Sequence, residues 1–67
     1  MPYYHIRYNI YENQGAPVEK EVWTMFETPT DDFELRRHFE DKHQSQTSII
    51  MSKVINLEEF ELNHHKE

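Results

Sequence analysis

The chain has 67 residues, 13 of them acidic against 7 Lys or Arg, for a formal charge of −6, and it has no cysteine. Disulfides, thiolate zinc sites, iron–sulfur clusters and thiol nucleophiles are therefore excluded. The length allows one small domain, and the acidic balance argues against a binder of phosphate backbones.

No apolar run approaches the roughly 20 residues of a membrane span. Met1-Pro2-Tyr3-Tyr4-His5 lacks the basic start and apolar stretch of a signal peptide, so a cytoplasmic protein is expected. Acidity is spread along the chain: residues 1–28, 29–46 and 47–67 each sum to −2, leaving no acidic tail and no basic arm. One glycine and three prolines leave no room for a flexible linker.

Residues 3–12 alternate. Tyr4, Ile6, Tyr8 and Ile10 point one way, and Tyr3, His5, Arg7, Asn9 and Tyr11 the other, as in a half-buried strand. Glu12-Asn13-Gln14-Gly15-Ala16-Pro17 reads as a hairpin loop in which Asn13 and Gly15 can take positive φ. A second strand follows from Val18 to Glu27 and should pair antiparallel with the first. Its faces compete: Val18, Val22 and Phe26 share one, Trp23 and Met25 the other. The latter set carries Glu19, Glu21 and Glu27, which cannot be buried unpaired, so Val22 and Phe26 are assigned inward.

Thr28-Pro29-Thr30-Asp31-Asp32 signals a helix start, with Thr28 as the cap and Pro29 in the first helical position. The acids would then sit at the positive end of the helix dipole. The helix should run to about His43, with Leu35 and Phe39 on its core face and Phe33 covering an edge. Glu34–His38, Arg36–Glu40 and Arg37–Asp41 are spaced as i,i+4 pairs of opposite sign. Gln44-Ser45-Gln46 forms the exit.

Thr47 to Leu57 is β-branched and apolar on both faces, which predicts a central strand or one whose outer face meets another chain. Glu58 to Leu62 fits a strand extension, a fourth strand or one helical turn. Residues 63–67 should fray as a flexible tail. The expected fold is thus α+β: a two-layer β-β-α-β domain over residues 1–62, its antiparallel sheet crossed on one face by one helix.

Five histidines raise a metal site. Glu34 and His38 could reach one ion from one helical face, with His43 near the helix end; no third ligand follows at helical spacing, and no metal or other cofactor is expected. Ser45, Thr47, Ser48 and Ser52 lie on no glycine-rich elbow, and a single glycine builds neither an oxyanion nest nor a phosphate loop. An enzyme is not expected.

The face opposite the helix carries Tyr3, Arg7, Tyr11, Trp23 and Met25, edged by Glu19 and Glu21. Exposed apolar area rimmed by acids marks an interface, and Tyr, Trp and Met are types that interfaces favour. These seven residues are the candidate partner-binding set. The expected function is a small acidic protein-binding module whose partner is a host factor or a second copy of the chain. Short acidic chains of this kind occur among phage and mobile-element accessory proteins, and some inhibit a host protein by presenting carboxylates as DNA presents phosphates. The alternative is an RNA- or ribosome-associated module that stacks bases on the aromatic sheet face.

Overall fold

The computed structural model describes residues 1–12 and 15–66. Three strands form one antiparallel sheet: β1 (Tyr3–Tyr11), β2 (Val18–Met25) and β3 (Gln46–Ile55), in the order β2-β1-β3. Helix α1 (Asp32–His43) links β2 to β3, and helix α2 (Leu57–Asn63) follows β3 and runs into a 3-10 turn at His64–Lys66. The domain is α+β. Asn13 and Gln14 of the hairpin loop, and Glu67, lie outside the described residues, and Gly15 takes no positive φ.

The alternation of β1 builds the core. Tyr4, Ile6, Tyr8 and Ile10 are buried on one face and meet Leu35 and Phe39 of α1, with Val22 from β2 and with Phe26 and Ile49 packed alongside. Both buried tyrosines keep their hydroxyls bonded, as burial of that group requires. Tyr4 Oη accepts from the Thr30 amide at 3.1 Å, and Tyr8 Oη shares a 2.7 Å hydrogen bond with His43 Nε2. Thr47, the one buried polar residue among those described, donates its hydroxyl to the Arg36 carbonyl and its amide to Glu40 Oε2, both at 3.2 Å. Ser52 Oγ donates to Asp32 Oδ1 at 2.7 Å, so β3 is laced to α1 along its length.

Four expectations are corrected. The helix cap is Asp31, whose Oδ1 accepts from the Glu34 amide at 2.9 Å; Thr28 and Pro29 precede the helix. Both stretches satisfy local capping rules, and the bond between Tyr4 and Thr30 ties the lead-in to β1 just before Asp31. β3 is an edge strand, and β1 is the central one. On the outer side of β3, Ile55, paired with Tyr3, is buried and Met51, paired with Arg7, is half-buried.

The expected ion pairs within α1 are absent. Among the described residues the ion pairs are His5–Glu21 and Arg7–Glu19, while Glu40 bonds the Thr47 amide instead of Arg36. Phe33 covers no edge of the sheet: it is 58% exposed, with Arg36 and Arg37 over its ring. At Glu58–Leu62 the helical option is the one adopted, with Asn56 as its cap accepting from the Glu59 amide at 2.8 Å.

Candidate functional site

The face of the sheet away from α1 carries the seven candidate residues. Register places Tyr3 opposite Met25, His5 opposite Trp23 and Arg7 opposite Glu21, with Glu19 opposite Asn9. All of these side chains share one side because successive residues of a strand point alternately.

Their surroundings differ along the strand. At the start of β1, the ring of Tyr3 lies 4.8 Å from that of Phe60 on α2, and Phe60 in turn stacks on His64 at 4.8 Å. Tyr3 is therefore covered by the chain's own second helix. The signal for this was present in the in-step Phe60 and Leu62, but spacing of two and of four both fit so short a segment.

In the middle of the face, His5 and Trp23 stack with centroids 4.7 Å apart and planes within 3° of parallel. His5 Nε2 lies 2.7 Å from Glu21 Oε2. Arg7 donates from Nη2 at 2.7 Å and from Nε at 3.2 Å to the same oxygen of Glu19. Each pair is diagonal, two residues along from the directly opposed one and so on the same face, as long side chains across a strand pair allow. The bond and charge of Glu19 hold the Arg7 guanidinium above its usual pKa, with Glu21 adding to the effect. Both pairs are open to water and contribute little to stability.

Met25 and Tyr11 are exposed at opposite ends of this face. Tyr11 stands eight positions along β1 from Tyr3, the partner of Met25, which is roughly 26 Å along a strand. The structure thus brings Trp23, Arg7, Glu19 and Glu21 together with His5, seats Tyr3 beneath α2, and leaves Tyr11 distant. The alternation of β1 places His5 on this face. Its ring is the platform for Trp23, and cross-strand register is the signal that identifies it.

Of the metal candidates, Glu34 and His38 line one surface depression, while His43 turns to Tyr8. His38 stands edge-on to Phe26 at 5.3 Å, and His43 is bonded to Tyr8. No group of three or more His, Cys, Asp or Glu able to hold a metal occurs among the described residues. Partial burial, with Lys42 and Lys20 adding, lowers the His43 pKa below its ordinary value. The surface depressions are shallow, one lined by Glu34, Arg37 and His38 and another by Asn56, Glu58, Glu59 and Leu62. No helix among the described residues is long and apolar enough to cross a membrane.

Fold and surface define a small α+β domain with an aromatic, charge-paired sheet face. Compared with protein-family models, curated proteins and solved structures, the chain matches none.

Proposed function

We propose that this chain is a non-catalytic, cytoplasmic protein-binding module that uses the part of its second sheet face around His5 and Trp23. The observation carrying this reading is the His5–Trp23 stack, half-buried in mid-sheet and bordered by exposed Met25 on one side and the Arg7–Glu19 pair on the other. A large aromatic with a charged rim is the arrangement that anchors protein partners. Rigidity supports it too, since a stacked ring loses little freedom on binding.

The pairing of Glu19 with Arg7 and Glu21 with His5 favours recognition of a mixed-charge protein surface over mimicry of DNA. A row of phosphate-like charges needs carboxylates without such partners. An accessory protein that inhibits a host factor remains the role that this reading proposes, through contact rather than imitation.

The deciding experiment is affinity capture from lysate by wild type and by Trp23→Ala, each with nuclease treatment. Retention of a protein by the wild type and its loss with the variant, at an unchanged circular dichroism spectrum, is the expected result. Capture that nuclease abolishes would instead favour an RNA-associated module stacking bases on the same pair. Capture indifferent to Trp23 would remove the reading's main residue.

A further inference from the structure

On a chain of net charge −6, Arg36 and Arg37 have no ion-pair partner among the described residues. Their guanidinium carbons lie 5.5 and 6.0 Å from the centroid of Phe33, one turn earlier on α1. Leu35 and Phe39 occupy the inward stripe of this helix. At about 100° per residue, Phe33 and Arg37 fall on its outer side and Arg36 between that side and β3. Val54 of β3, 66% exposed, shares the sheet face that α1 covers, because its register partner is the core residue Tyr4. It lies two residues from Ser52, which is bonded to Asp32 beside Phe33. The result is an outward patch with a ring and two cations, edged by Glu34 in the depression beside Arg37.

The other side of the sheet carries the converse. In α2, Glu59, Phe60 and Asn63 form the half-buried inner row, and Phe60 rests on Tyr3. Leu57, Glu58, Glu61 and Leu62 are all exposed, the two leucines at 49% and 63%, and helical spacing groups them on the outer side. This face offers two aliphatic side chains and two carboxylates.

The first patch offers two guanidinium groups without an ion-pair partner, and the second offers two exposed carboxylates. Guanidinium and carboxylate form strong, directional hydrogen bonds, and ring and leucines offer apolar surface to withdraw from water. They cannot meet within one molecule, because α1 lies on the face of Tyr4 and α2 on the face of Tyr3, and adjacent strand residues point to opposite sides. We propose that the chain associates head to tail, the Phe33–Arg36–Arg37 surface of one copy seating the outer face of α2 from the next. Such a contact is heterologous: each copy retains one unoccupied patch, so association does not close at two. Neither Trp23 nor Met25 takes part, so this inference stands or falls apart from the protein-binding reading of the sheet face.

Sedimentation equilibrium of the full chain, from low micromolar to about millimolar concentration, tests it. The expected result is a weight-average mass climbing progressively above the 8.3 kDa monomer. Arg36→Glu with Arg37→Glu makes both patches acidic; Glu58→Lys with Glu61→Lys makes both basic. Each double variant should be monomeric alone, and an equimolar mixture should associate, because every reversed patch then faces an opposite one. Phe33→Ser and Leu62→Ser, which leave charge untouched, should each weaken association roughly tenfold, about 1.4 kcal/mol. All six positions are exposed, and circular dichroism confirms folding of each variant. A wild type that stays monomeric throughout, association that survives the charge reversals, or folded variants that fail to associate when mixed would each overturn the proposal.

Discussion

The hydroxyl of Tyr8 lies 2.7 Å from Nε2 of His43, joining the central strand to the last turn of α1. Phe39, one turn earlier, stacks on the Tyr8 ring at 4.0 Å, so a single helical turn holds both the face and the hydroxyl of that tyrosine. With Nε2 unprotonated, the hydroxyl donates to it. Partial burial, assisted by Lys42 and Lys20 and opposed by Glu12, keeps the folded-state pKa of His43 below 6.5.

Stability should therefore depend on His43 in a defined direction. Below pH 6.5 the unfolded chain binds a proton that the folded chain resists, so stability falls as pH drops from about 6.5 toward the lowered folded-state value. Thermal melts at several pH values between 5 and 8 should show a smaller loss on acidification for His43→Gln than for wild type. An equal or larger loss in the variant would show that His43 is not the group responsible.

The capping assignment separates two nearby residues. Asp31→Ala should cost about 1 kcal/mol and lower the melting temperature by roughly 4–8 °C, because the Glu34 amide loses its acceptor. Thr28→Ala, at an exposed position outside the helix, should stay within about 0.5 kcal/mol of wild type. Chemical denaturation of both variants distinguishes them; a larger effect at Thr28 would move the helix start upstream.

Thr47→Val replaces a hydroxyl by a methyl at nearly constant volume in a site only 3% exposed. The Arg36 carbonyl then loses a donor, for a cost of roughly 1–2 kcal/mol. A neutral outcome in denaturant unfolding would mean that water replaces the hydroxyl freely.

Phe60→Ala removes the ring that covers Tyr3. Since α2 has no fully buried residue, the cost should fall below the roughly 3–5 kcal/mol of truncating a core phenylalanine. Amide exchange should quicken across residues 57–63 and stay slow in β1 and α1. Uniform acceleration throughout would show that α2 is integral to the global fold.

Much of the architecture is written in short-range pattern. The alternation of Tyr4, Ile6, Tyr8 and Ile10, and the four-residue spacing of Leu35 and Phe39, identify the two surfaces that meet, because pleat and helix each impose a fixed period on apolar side chains. The three glutamates beside Trp23 place it outward, since burying unpaired carboxylates costs more than exposing one ring. Other features required the assembled chain. Alternation names a strand's faces and not its neighbours, so only long-range pairing placed β1 between β2 and β3. Thr28 and Asp31 are equivalent caps by local rules, and the tyrosine that selects between them lies 26 residues away from Thr30. Arg36 has Glu40 at helical spacing, yet that acid is drawn off by the amide of Thr47 on β3. Which face α2 would cover depended in the same way on where Tyr3 lay once the sheet had formed: the pleat puts its ring on the side away from α1, and there Phe60 meets it.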